Sequence, residues 1–194
     1  MILHNAGKYN GDENSLPQRE HEPNAVPFKE IDDMKKFSSI INLGGFFIMI
    51  ILVIPFILTI KTFSTAKILI YSSLCPIWNL VLIIPHELLH AVCFKKDVYF
   101  YNNLSNGTAF VIGTEDMSKT KFVLMCLCPN IFLGLIPYII FFIFPKMEIL
   151  GLLGLVSLGA GFGDYMNAYN SIKQMPKGAK TYLCGMHSYW YIKK

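Results

Sequence analysis

Hydrophobic and polar positions fall in long blocks along this chain. Apolar runs lie near residues 40–60, 67–94, 122–144 and 147–170, the first reading INLGGFFIMIILVIPFILTI. A helix needs about 20 apolar residues to cross the roughly 30 Å hydrocarbon layer, and each run supplies them. Lipid offers the backbone no hydrogen-bonding partner, so such runs fold as helices. The pattern predicts an all-α membrane protein, a bundle of about four transmembrane helices. One interval follows another rhythm: from Asp97 to Gly113, two β-rich stretches flank Asn106-Gly107, the dipeptide that best suits a tight hairpin turn. A short cytoplasmic β-hairpin is therefore predicted between helices two and three, and its free edge could hold a substrate segment by strand addition.

Composition agrees: 53% of residues are hydrophobic and 15% charged, with mean hydropathy +0.43, against roughly 25% charged in soluble domains. Three regions follow. Residues 1–36, rich in Pro, Asn, Glu and Lys, read as a disordered or interfacial cytoplasmic tail, with Phe28, Ile31 and Met34 at helical spacing. The tail has no apolar segment with a small-residue cleavage site, so no cleavable signal peptide is expected. Residues 37–172 form the transmembrane domain. In the C-terminal cytoplasmic tail, 173–194, Pro176-Lys177-Gly178 turns the chain and Tyr189-Trp190-Tyr191 suits the aromatic belt of an interface.

With four spans, twelve lysines (Lys29, Lys35, Lys36, Lys95, Lys96, Lys119, Lys121, Lys173, Lys177, Lys180, Lys193, Lys194) share one side and three (Lys61, Lys67, Lys146) the other. The positive-inside bias makes the first side cytoplasmic, which predicts a multi-pass protein of the cell membrane with both termini in the cytoplasm. The net charge of +4 reads as membrane orientation, and the absence of a basic aromatic stripe excludes nucleic acid as a partner. The cysteines (Cys75, Cys93, Cys126, Cys128, Cys184) are odd in number and sit mostly in apolar runs, so they read as small buried hydrophobes.

The second run ends in Ile84-Pro85-His86-Glu87-Leu88-Leu89-His90. This H-E-x-x-H places His86 and His90 one turn apart on one helix face, where both imidazoles reach one zinc, with Glu87 beside its water. Zinc lowers that water's pKa toward 7, and Glu87 as general base can move its proton to the leaving amine. The bland alternative is a histidine pair that hydrogen-bonds between helices. A buried charge costs roughly 2.5 to 3.5 kcal/mol at a span centre, which favours function.

Two histidines need a third protein ligand. Asp164 in the fourth run is the candidate, with His187 in the polar tail as rival. His86 and Asp164 each precede a flanking lysine, Lys95 and Lys173, by nine residues, about 13 Å of straight helix. Asn167, one turn beyond Asp164, could orient its carboxylate. Asn130, near the expected start of helix three at Cys128-Pro129-Asn130, could donate to an oxyanion or cap the helix. Pro85 frees the carbonyl of Val81 and predicts a kink. Asn79, two turns before His86, could line the same cavity or join helices. Gly159 and Gly163 form a GxxxG for close helix packing.

The chain resembles the bacterial membrane family described as putative zincin peptidases, itself similar to site-2 type intramembrane metalloproteases. The resemblance rests on His86-Glu87-Leu88-Leu89-His90, Gly163-Asp164-x-x-Asn167 and the stretch from Pro176-Lys177-Gly178-Ala179 to Tyr189-Trp190. It implies His86, His90 and Asp164 as zinc ligands and Glu87 as general base. Tyr165 follows Asp164 where site-2 proteases carry Asp-Gly. The expected activity is zinc-dependent intramembrane cleavage of a membrane protein or peptide. A proteolytically inactive zinc-binding scaffold is the alternative, and a metal transporter ranks last because runs one and three are almost wholly apolar.

Overall fold

The computed structural model describes residues 1–31, 33–60, 64–103 and 107–193. In chain order its elements are β1 (Ile2–Lys8), β2 (Val26–Pro27), α1 (Met34–Thr59), α2 (Thr65–Ala91), β3 (Asp97–Asn103), β4 (Thr108–Ile112), β5 (Met117–Ser118) and α3 (Lys119–Pro129). A π-helical stretch, Asn130–Leu135, leads into α4 (Ile136–Ile143), and α5 (Glu148–Ala160), α6 (Phe162–Gln174), β6 (Lys180–Cys184) and β7 (His187–Tyr191) follow. The protein is mostly helical with two small sheets. Among the described residues three helical stretches are long and apolar enough to cross a membrane: Lys35–Thr59, Thr65–Ala91 and Lys119–Ile143. The fourth apolar run is a pair of helices, α5 and α6, bent by 50°. Helix three begins at Lys119, ahead of the expected start at Cys128, and Pro129 lies inside the helical stretch.

The chain forms two compact units. One comprises residues 31–86 and 128–165. Asp33 caps α1 by accepting from the backbone N–H groups of Lys35 and Lys36 at 2.9 and 3.2 Å, satisfying donors that a helix start leaves open. Glycines bring helix backbones together. A Cβ on Gly154 would lie 2.6 Å from the Gly134 carbonyl oxygen, and one on Gly45 2.4 Å from that of Gly159. The GxxxG glycines differ: Gly159 meets the Met49 side chain at 2.4 Å, whereas Gly163 has only Ile41 at 3.3 Å. Phe56, Phe141, Leu152, Leu155 and Val156 fill the core. Lys67 donates to both Glu148 oxygens at 2.8 and 2.9 Å, tying α2 to α5.

The second unit comprises residues 1–30, 87–127 and 166–194. Its sheets have strand orders β1-β3-β4 and β2-β7-β6-β5. Strands β3 and β4 pair antiparallel, with Asn103 opposite Thr108. The expected turn at Asn106-Gly107 lies partly outside the described residues. Phe94, Val98, Phe122, Met125 and Ala168 form one core cluster.

Residues 1–30 depart from the disordered or interfacial tail expected of them. β1 pairs parallel with β3, and β2 pairs antiparallel with β7. Leu16 and Phe28 are buried, Phe28 against Met175 and Ala179. Arg19 donates to Asp116 at 2.8 Å and to the Thr114 carbonyl at 3.0 Å, with its guanidinium 4.1 Å over the Tyr182 ring. The segment is too polar to make its own core, so its order is borrowed from strand edges elsewhere in the chain. At the C-terminal end Tyr189-Trp190-Tyr191 sits in β7, and Tyr191 is buried with its hydroxyl donating to Asp116 at 2.9 Å.

Glu115 fixes the chain just beyond α2. Its carboxylate accepts from the N–H groups of Lys95 and Lys96 at 2.8 and 2.7 Å and from Lys121 Nζ at 2.5 Å. Burial opposes its charge, but these donors outweigh it and hold the carboxyl below its ordinary range. The resulting stabilisation is present above the unfolded-state value near 4.3 and is lost as pH falls through the lower folded value. Glu115→Gln should cost about 1–3 kcal/mol at pH 7 and flatten the acid limb of unfolding. Thermal unfolding in detergent between pH 7 and pH 3 checks this, and a wild-type curve at both ends would count against it.

Candidate metal centre

Helix α2 carries the H-E-x-x-H residues in its last two turns, unbroken through Pro85, so the expected kink does not interrupt it. The candidate ligand atoms of His86, Glu87 and His90 lie within 4.8 Å of one another. Asn79 hydrogen-bonds the Cys75 carbonyl of its own helix at 3.2 Å and faces outward.

His90 is 8% exposed and its Nδ1 lies 2.9 Å from the Met125 carbonyl oxygen. A carbonyl only accepts, so Nδ1 carries the proton and Nε2 keeps a lone pair. A ligand histidine held this way has its tautomer and ring plane fixed. Met125 is available because of Pro129, four residues on: proline has no N–H to spend on the i−4 carbonyl. Pro129 within α3 thus releases the acceptor that orients His90.

His86 Nε2 lies 3.1 Å from Asp164 Oδ2, with side chains 17% and 15% exposed. Tetrahedral zinc ligands at about 2.05 Å stand roughly 3.3 Å from one another, so this pair fits one ion. His86 and Asp164 supply an imidazole and a carboxylate at that spacing, and His86, Glu87 and His90 form a group of metal-ligand type on α2, so these donors fit zinc.

Asp164 follows the bend. Its N–H bonds the Gly161 carbonyl at 3.0 Å, and the Tyr165 hydroxyl reaches back to the Leu158 carbonyl at 3.1 Å. The 50° angle between α5 and α6 removes the straight helix that the depth count assumed. Asp164 lies in the first turn of α6, just past the bend. Asn130, 2% exposed, donates from Nδ2 to Asp164 Oδ2 at 2.8 Å. Asn167 is exposed, and among the described hydrogen bonds the amide reaching Asp164 is that of Asn130. His187 lies on β7 with Nδ1 3.5 Å from Glu30 and Nε2 3.8 Å from Glu13. Burial raises the Glu30 carboxyl's pKa, partly offset by Ser188 and His187.

Three contributors carry no mark in the sequence. Met125 acts through its backbone, which no side-chain pattern marks. Pro129 reads from sequence as a helix start. Gly161 is one glycine among several, and its room for Asn130 depends on a distant turn.

No curated protein and no solved structure matches the chain. The family described as "Putative zincin peptidase" matches residues 79–180, which span H-E-x-x-H, Asn130 and Asp164. With more than half of its length matched, the chain belongs to that zincin peptidase family.

Proposed function

We propose that this metallopeptidase is a zinc-dependent intramembrane endopeptidase that hydrolyses a peptide bond of a membrane-associated protein near the cytoplasmic face. The observation that carries the reading is His86, Glu87 and His90 grouped on α2 with Asp164 Oδ2 3.1 Å from His86 Nε2. In this reading four apolar stretches cross the bilayer, the bent pair α5–α6 as the fourth, with both termini cytoplasmic. Zinc held by His86, His90 and Asp164 would supply Lewis acidity, polarising a carbonyl and acidifying water. Glu87 takes the proton of the attacking water and delivers it to the departing amine nitrogen. The Met125 carbonyl keeps the His90 proton on Nδ1 throughout. A helical substrate has to unwind, since its carbonyls are already bonded within the helix, and β4, the outer strand in the order β1-β3-β4, offers an edge to receive it.

Elemental analysis of detergent-purified protein tests the metal, and cleavage of labelled casein tests the chemistry. About one zinc per chain is expected for wild type and none for His86→Ala. Chelation should stop casein cleavage and added zinc restore it. Equal zinc in the two proteins, or cleavage untouched by chelation, would overturn the reading.

A further inference from the structure

We propose that Asn130 is a positioning residue for the metal centre, and that Gly161 is glycine in order to admit it. The proposal rests on the reading of Asp164 as a zinc ligand. Asn130 opens the π-helical stretch Asn130–Leu135, in which the N–H of Ile136 bonds the Ile131 carbonyl five residues back. Such widened turns are rare, and they cluster at functional positions. The carboxamide set at this turn is almost wholly buried, and its Nδ2 donates to Asp164 Oδ2, the oxygen that faces His86.

Gly161 stands at the bend between α5 and α6 with φ −76° and ψ 13°. Its φ is negative and the region is open to L residues, so no positive φ explains the glycine. Space does: a Cβ on Gly161 would lie 1.6 Å from Asn130 Oδ1 and 2.4 Å from Cγ. The carboxamide occupies the place where a side chain would begin. It is thereby wedged between the bend and the carboxylate three residues later. The wedge fixes which way Asp164 presents its oxygens, the work that a hydrogen bond to a ligand carboxylate does in metal sites.

Zinc affinity by competition with a chromophoric chelator tests this on the full chain in detergent, beside the visible spectrum of the cobalt-substituted protein. Asn130→Ala and Gly161→Ala should each weaken zinc by about 10- to 100-fold and shift the cobalt bands. The double variant should be no worse than Asn130→Ala alone, because the two changes remove one device. Asn130→Ala only deletes atoms, so it decides the matter by itself if Gly161→Ala fails to fold. Wild-type zinc affinity and cobalt spectrum in Asn130→Ala, with only kcat lowered, would make Asn130 an oxyanion donor and overturn the proposal. Additive losses in the double variant would also overturn it. If wild type and His86→Ala bind zinc alike, the metal assignment itself has failed, and that outcome is separate from the others.

Discussion

Glu87→Gln is expected to leave zinc bound at the wild-type level and to lower kcat on casein by about 10²- to 10⁴-fold, the range supplied by a positioned general base. The substitution keeps the size of the side chain and one acceptor oxygen but cannot take up a proton at neutral pH. Glu87 sits beside His86 on α2, and its candidate ligand atom lies within 4.8 Å of those of both histidines. A carboxylate in an apolar helix costs a few kcal/mol on insertion, and proton transfer would account for its presence there. Zinc content and single-turnover cleavage measured on the same preparation make the check. An active variant would show that Glu87 is not the base. A protein whose biological effect is indifferent to Glu87 while zinc stays bound would be a zinc-held scaffold instead.

Asp164→Ala is expected to abolish zinc binding as completely as His86→Ala does, and Asp164→Asn to retain a weakened site. In the proposed donor set the carboxylate is the anionic member, with Oδ2 3.1 Å from His86 Nε2. Loss of an outer hydrogen bond typically costs 10- to 100-fold in metal affinity, so a fall beyond that range distinguishes a ligand from a mere partner of the histidine. Titration with a competing chelator measures it. A loss of tenfold or less in Asp164→Ala would remove Asp164 from the ligand set and turn attention to other oxygens near His86.

Some parts of the site could be read from local spacing. His86 and His90 lie four apart in an apolar run, and a helix places any such pair on one face. Asp164 stands out in sequence as the acidic residue in the one other run that offers a ligand. Equal depth from Lys95 and Lys173 requires straight helices, whereas α5 and α6 are bent by 50° and Asp164 Oδ2 lies 3.1 Å from His86 Nε2. Asn130 was noted for an oxyanion or a cap, yet the structure gives its amide to Asp164, while Asn167, chosen by helical spacing, is exposed. Helical spacing identifies shared faces within a helix, and the partner of Asp164 came from another helix altogether.

The sequence by itself determined the solvent class, the apolar helices and the H-E-x-x-H pair, because long apolar blocks and a one-turn spacing are enforced by the local backbone. It also showed two β-rich stretches that pair as β3 and β4. Tertiary structure alone decided the order of residues 1–30, whose strands exist only against β3 and β7. It likewise decided that Pro129 frees the Met125 carbonyl for His90 and that Gly161 makes room for Asn130. These outcomes depend on hydrogen bonds and steric exclusions between residues as far apart in the chain as Val26 and Trp190, which no local periodicity encodes.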